Sequence, residues 1–310
     1  MIKALILTDG KAGHENQSKA FARALGYDFK IAEVHFKSKF HKALSYLFDR
    51  LGIVSPSLFK IESPLFAAPA VVLGTGSGTF YATKTIASRL GCKCGVVLYP
   101  RGYTISTFDC VLAPRFDRPV SAPNVIEIPA NLVAADEAFY EQGVKEFLGR
   151  RGKDAASLGD PVAVIIGGPN KCSTMSVEWM KSELDKIFHS RPSTATSYWV
   201  TTSRRTPPEI EALVDSYPWD YKLLYSKDHF NPIPAFVKLA KRIYVTAEST
   251  GMLSEACTFG SAEVIALDNL NPGPHKFRRF VEDLRAGGYV DGNRKVDLSA
   301  EFAKAKDLLK

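Results

Sequence analysis

The chain has no run of the roughly 18–20 uninterrupted apolar residues that a membrane-spanning helix needs, which excludes a helical integral membrane protein. Its longest apolar stretches, such as 67–73 with Pro69 inside, are strand-sized. Cysteine is sparse: five residues, Cys92, Cys94, Cys110, Cys172 and Cys257, an odd and scattered set. That excludes a disulfide-stapled mini-scaffold and suits the reduced thiols of a cytosolic protein. Only Cys92 and Cys94 stand close together, and no His or Cys cluster at metal-ligand spacing joins them, so no metal site is expected. Dense Lys/Arg runs with interleaved aromatics are missing, which sets nucleic acid aside as a partner. No cleavage site follows Met1-Ile2-Lys3, which leads directly into Ala4-Leu5-Ile6-Leu7, so this segment reads as a strand and not as a signal peptide.

What is present is the mix of a globular chain with a core. Hydrophobic residues make up 45% and charged residues 24% of 310 positions, which excludes wholesale disorder. That length is comfortable for two domains. Lys and Arg number 40 against 33 Asp and Glu, a net charge of +7. The modest basic excess fits anionic partners such as nucleotide phosphates or lipid headgroups.

Short apolar runs alternate with helix-length segments. Strands are expected at 4–7, 29–34, 71–73, 95–98, 110–113 and 125–128, and helices at 16–25, 39–51, 79–90 and 134–148. After the charged segment Gly149-Arg150-Arg151-Gly152-Lys153-Asp154 the pattern restarts. Strands follow at 162–166, 198–202, 223–225, 243–246 and 263–267, with helices at 176–188, 207–215, 233–240, 252–258, 275–286 and 298–309. Strands separated by helices of about 10–15 residues read as right-handed βαβ units around parallel sheets. The expectation is an α/β chain of two Rossmann-like domains, 1–152 and 153–310, with a cleft between them. In open α/β sheets ligands sit beyond the carboxyl ends of the strands, so chemistry is sought in the loops that follow them.

The first strand empties into Thr8-Asp9-Gly10-Lys11-Ala12-Gly13-His14-Glu15-Asn16-Gln17, where polar and ionisable side chains crowd one loop before a helix. Its glycine spacing matches neither a P-loop nor a dinucleotide fingerprint. Histidine is the side chain suited to proton transfer near neutral pH, so His14 is the candidate general base, with Asp9 and Glu15 beside it. The alternative is a plain glycine turn with an Asn16 or Gln17 cap, but the crowding of ionisable groups favours function. Gly74-Thr75-Gly76-Ser77-Gly78-Thr79 is either an anion-holding turn or a plain strand-to-helix connection.

In the second half, Gly167-Gly168-Pro169 and Thr202-Ser203-Arg204-Arg205-Thr206 each follow a strand. Adjacent arginines there can grip a diphosphate bidentately. The densest signal is Thr246-Ala247-Glu248-Ser249-Thr250-Gly251-Met252-Leu253-Ser254-Glu255-Ala256. Helix amides at Gly251 and Met252 with the Ser249 and Thr250 hydroxyls make a phosphate site, and Glu255, one turn on, can accept the hydroxyls of a ribose. An ordinary capped helix with a first-turn glutamate explains the same residues locally.

At Asp9 to Gln17, Ser203-Arg204-Arg205-Thr206-Pro207, Asn231-Pro232 and Val245 to Ala256 the chain resembles the "elongated mitochondria" fission-factor family, named for a plant member and widespread in bacteria. The resemblance runs over nearly the whole chain. It implies a GT-B fold, two Rossmann-like domains facing across a cleft with a C-terminal helix crossing back. More distantly the chain is similar to GT-B enzymes that use UDP-sugars, including the glucosaminyltransferase that makes lipid II and the UDP-sugar 2-epimerases. That similarity implies that Ser249, Thr250, Gly251 and Glu255 hold diphosphate and ribose, and that His14 matches a histidine after a glycine-rich first loop. Glu248 departs from the aspartate more usual in the fission-factor family, and Thr250-Gly251 from its small residues.

The expected function is a metal-independent glycosyltransferase. Gly168, Ser203, Arg204, Arg205, Ser249, Thr250, Gly251, Met252 and Glu255 would bind a nucleotide-diphosphate-sugar, with a UDP-sugar the expected donor, and His14 or Asp9 would deprotonate a hydroxyl acceptor. No Asp-X-Asp motif is present, which fits leaving-group stabilisation by arginines and helix amides. The alternatives are an epimerase or hydrolase of nucleotide sugars using Asp9, Glu15 and Asp117, and a non-catalytic membrane- or division-associated module on the same scaffold. The segment 36–48 is basic and aromatic at helical spacing. Lying on an anionic membrane it would sink Phe40, Leu44, Leu47 and Phe48, which points to a lipid or cell-envelope glycan acceptor and a cytoplasmic protein peripheral on the inner face of the membrane. A core-facing helix with a solvated side is the competing reading.

Overall fold

The computed structural model describes residues 3–62, 69–152, 158–190 and 196–310. The chain divides into two compact units, Met1–Ala134 together with Asp297–Lys310, and Ala135–Val296.

The first unit is built on a seven-stranded sheet of order β3-β2-β1-β4-β5-β6-β7. Its strands are β1 (Ala4–Thr8), β2 (Phe29–Phe36), β3 (Phe59–Ile61), β4 (Val71–Thr75), β5 (Lys93–Val97), β6 (Cys110–Pro114) and β7 (Val125–Ile128). All pair in parallel except β3, which runs antiparallel on β2. Strands β1, β4 and β6 are buried throughout, which is why they read as continuous apolar runs with no alternation. Helices α1 (Ala12–Ala24) and α3 (Phe80–Leu90) pack on the sheet. Leu5, Leu7, Val72, Val96 and Val111 meet Phe80, Tyr81 and Phe108 in the core. Helix α2 (Lys39–Arg50) is capped by Ser38, whose hydroxyl accepts from the His41 amide at 3.3 Å.

The second unit carries a five-stranded, wholly parallel sheet of order β10-β9-β8-β11-β12. These strands are β8 (Asp160–Ile166), β9 (Thr196–Thr202), β10 (Tyr221–Leu223), β11 (Arg242–Thr246) and β12 (Glu263–Leu267). Its helices are α4 (Glu137–Arg151), α5 (Val177–His189), α6 (Pro208–Asp215), α7 (Ile233–Leu239), α8 (Thr250–Thr258) and α9 (Lys276–Ala286). Ser176 caps α5 through the Trp179 amide at 3.2 Å, and Pro208 opens α6. The order outward from the first strand of each sheet is the Rossmann order.

The structural division differs from the boundary read at 152/153. Helix α4 packs on α7, the Phe147 ring lies 5.1 Å from Trp199, and Glu137 pairs with Lys238. Its apolar side is thereby satisfied within the second unit. Lys153 and Asp154, on which the sequence boundary leaned, lie outside the described residues. Helix α10 (Ser299–Leu308) packs against β6 and β7 of the first unit. No helix among the described residues is long and apolar enough to cross a membrane.

Candidate functional site

Helix α1 starts at Ala12 and not at Asn16, so His14 and Glu15 stand in its first turn. Lys11 takes the extended N-cap conformation with no side-chain cap. The turn is closed instead by Asp9, which accepts from the Lys11 amide at 3.4 Å and from the Lys11 ammonium at 2.6 Å. Asp9 also meets His14, with Nδ1 3.0 Å from Oδ1 and 3.2 Å from Oδ2.

Burial pushes the Asp9 carboxyl up, but Lys11 and His14 together outweigh it and hold the group below its ordinary value. An ionised carboxylate only accepts hydrogen bonds, so in this contact His14 Nδ1 carries the proton.

The turn after β4 fits around this pair. Gly76 has φ +84°, and a methyl group there would overlap the His14 ring. Lys42 of α2 reaches the same turn, donating to Ser77 Oγ at 2.9 Å. Glu15 stays apart: it pairs with Lys19 one helical turn on, at 2.6 Å. Arg115 lies 4.0 Å from Glu127.

In the second unit the loops after β8, β9 and β11 are laced together at the carboxyl edge of the sheet. Buried Glu248 is the hub. Its Oε1 accepts from the Gly168 amide at 2.8 Å and the Thr246 hydroxyl at 3.1 Å, and its Oε2 from Asn269 Nδ2 at 2.8 Å. The amide of Gly168 is therefore already used, and a side chain there would overlap the Arg205 backbone. Gly168 allows two loops to close on each other. Thr206 continues the lacing, accepting from the Ser203 amide at 2.9 Å and donating to the Gly167 carbonyl at 2.5 Å. Arg204 and Arg205 are exposed and make no ion pair among the described residues.

Helix α8 begins at Thr250, two residues earlier than the sequence pattern indicates, with Ser249 at the N-cap making no side-chain cap bond. The Thr250, Gly251 and Met252 amides have no acceptor among the described residues, which leaves the positive end of the helix open. Glu255 Oε1 accepts from the Tyr140 hydroxyl at 3.0 Å, and Oε2 has no protein partner among the described residues. Burial pushes this carboxyl up, with the Tyr140 bond acting in the opposite direction.

A cavity of about 510 Å³ opens beside these loops, lined among others by Ser203, Arg204, Glu211, Tyr225, Lys227 and His229. The Tyr225 and His229 rings lie 4.6 Å apart at 36°. Sequence reasoning missed both. The only available signal was an aromatic four residues before a histidine in a loop after a brief strand.

On α2, Leu44 and Phe48 pack against the first-unit core. They do not join the outward stripe expected of them, because burying the inner face of α2 requires them. The exposed apolar residues are Phe40 at 71%, Leu47 at 52% and Leu51 at 63%, followed by Ile53 and Val54. Lys42 is turned to Ser77.

Two Rossmann-like units of this kind define a protein of the GT-B fold type. The UDP-GlcNAc 2-epimerase of Methanocaldococcus jannaschii has a TM-score of 0.53 at 14% identity, over 100% of this chain and 98% of that one. The UDP-GlcNAc 2-epimerase of Neisseria meningitidis, solved bound to UDP-GlcNAc, has a TM-score of 0.52 at 13% identity, over 99% and 97%. At such identities the likeness is one of fold. Residues 12–304 match the family described as mitochondrial fission ELM1, and the chain belongs to that family. An uncharacterized protein of Rickettsia prowazekii, RP120, is 32% identical over 130 residues, which span 39% of this chain and 35% of that protein.

Proposed function

We propose that the protein is a nucleotide-diphosphate-sugar enzyme that transfers the sugar to a hydroxyl acceptor. The carrying observation is the start of α8: Ser249, three unpaired amides and, one turn on, a glutamate with one free carboxylate oxygen. Phosphates suit the amide end of the helix, Arg204 and Arg205 suit the diphosphate, and Glu255 suits the ribose hydroxyls. These groups stabilise a departing diphosphate electrostatically without a metal ion. Asp9 and His14 supply the base that takes the acceptor proton. A UDP-sugar is the preferred donor in this reading, since the two epimerases of the same fold are UDP-GlcNAc 2-epimerases and one was solved bound to UDP-GlcNAc.

The acceptor in this reading is a lipid or cell-envelope glycan, met at an anionic membrane surface on which the Phe40, Leu47 and Leu51 stripe rests. Epimerisation or hydrolysis of the same donor is the second reading, favoured by the fold of the two epimerases. Product analysis separates it from transfer.

The test is a metal-free thermal-shift series with UDP, GDP, CDP, ADP and their common sugars on wild type and Glu255→Ala. A ligand of the native state raises the melting temperature by mass action. The expected result is a shift with one nucleotide family that Glu255→Ala abolishes. No shift with any nucleotide would overturn the donor site and leave a non-catalytic module.

A further inference from the structure

A second donor cluster stands on the edge of the first-unit sheet. Glu33 and His35 are two positions apart on β2 and therefore share a face. Glu62 directly follows β3. The antiparallel register sets Val34 opposite Ile61 and His35 opposite Lys60, which brings Glu62 opposite Glu33, and the Glu62 amide donates to the Glu33 carbonyl at 3.0 Å. His35 Nε2 lies 2.8 Å from Glu33 Oε1. One donor atom from each of the three side chains lies within 4.8 Å of the others.

Two features point to a cation. Like charges directly opposite across a strand pair repel; among the described residues this pair meets the His35 imidazole at Glu33 but no Lys or Arg ion pair, although Lys60 faces His35 and the chain carries a surplus of cations. The donor set is also specific. One imidazole nitrogen and two carboxylate oxygens, open to water on the outer side, suit a first-row transition ion with vacant positions. Calcium and magnesium take oxygen ligands alone.

We propose that Glu33, His35 and Glu62 bind one divalent transition-metal ion of the Zn²⁺ or Mn²⁺ class. The ion neutralises the opposed carboxylates and fastens β3, a strand of three residues, to β2. Thr8 pairs with Glu33 across β1 and β2, so the fastened edge adjoins the loop that carries Asp9. The site lies on the first unit and is separate from the donor loops of the second. Spacing along the chain hides it, because strand pairing and not sequence proximity assembles it.

The test is calorimetric titration of the full chain, stripped with a chelator and returned to neutral pH, with Zn²⁺ and Mn²⁺, and with Ca²⁺ as the oxygen-preferring control. The expected result is one saturable equivalent of a transition ion, weakened about 10–100-fold in both His35→Ala and Glu62→Gln, with no matching Ca²⁺ isotherm. Both positions are exposed, so each variant should retain the wild-type circular dichroism and its melting temperature in chelator. Absence of a saturable isotherm up to about 1 mM, or binding that survives both substitutions and so belongs to the thiols, overturns the proposal.

Discussion

Asp9 and His14 are joined by an oxygen–nitrogen contact of 3.0 Å across the first turn of α1, and the same carboxylate holds the Lys11 ammonium at 2.6 Å. One acid thus fixes both the tautomer of the imidazole and the path of the loop. In the proposed reaction His14→Ala should lower the turnover rate by roughly 10²–10⁴-fold, and Asp9→Asn should lower it in the same direction through loss of the tautomer. Neither should change the nucleotide-induced melting shift, because the donor loops belong to the other unit. Initial rates and melting curves on the same preparations check this; an Asp9→Asn enzyme with wild-type turnover would remove the dyad from the mechanism.

Gly76 tests the packing of that dyad. Its φ of +84° disfavours any side chain, and the His14 ring fills the space a methyl would need. Gly76→Ala should cost about 1–3 kcal/mol of stability, measured as a lowered urea midpoint with unchanged slope, and should displace His14 enough to reduce turnover as well. A midpoint within error of wild type would mean that the turn does not constrain the imidazole.

Glu255 offers a separation of binding from stability. Burial raises its carboxyl above the ordinary value of 4.5, so the native state holds the proton more tightly than the unfolded chain does. That contribution to stability is complete below the unfolded value and is lost as pH rises from there through the native value. Glu255→Gln cannot ionise and still presents an acceptor to Tyr140. It should flatten this part of the stability–pH curve and match or exceed wild type at neutral pH, while losing the nucleotide shift. Urea melts across the acid-to-neutral range decide the point, and a variant clearly less stable than wild type at neutral pH would show that the buried charge is favourable.

The α2 stripe yields a prediction that leaves the core untouched. Phe40 and Leu51 are 71% and 63% exposed, so Phe40→Ser and Leu51→Ser should change stability by no more than about 0.5 kcal/mol. Each should reduce sedimentation with anionic phosphatidylglycerol vesicles several-fold, since burial of a large apolar side chain contributes about 1.5–3 kcal/mol. Equal sedimentation of wild type and the double variant would remove the membrane from the proposed function.

The parallel architecture was legible because buried strands declare themselves as apolar runs. Leu5 to Leu7, Val71 to Leu73 and Val162 to Ile166 have cores on both faces and no alternation to disguise them. The edge strand β3 was not legible: Phe59-Lys60-Ile61 is too short for a pattern, and its antiparallel pairing follows from tertiary placement. The start of α1 was also hidden, because Asn16 looks like a cap while the turn is closed from Asp9, seven residues earlier. His14, Asp9, Ser249 and Glu255 were legible as polar and ionisable side chains at strand ends. The lacing of Glu248 to Gly168 and Asn269 was not, since it is made by residues brought together only when β8, β11 and β12 align. Glu15, grouped with the dyad by proximity in sequence, turns outward because helical geometry gives it Lys19 as a neighbour.

Helix α10 gives the first unit a timing problem during synthesis. Residues 297–310 complete a unit that is otherwise finished at Ala134, and they bring Ala305 and Leu309 to full or nearly full burial. At about 5–20 residues per second, the nascent first unit waits roughly ten seconds or more for its missing helix. Meanwhile the second unit, uninterrupted in the chain, can emerge and fold whole. Over that interval the face of β6 and β7 that α10 later covers lacks the helix that buries it.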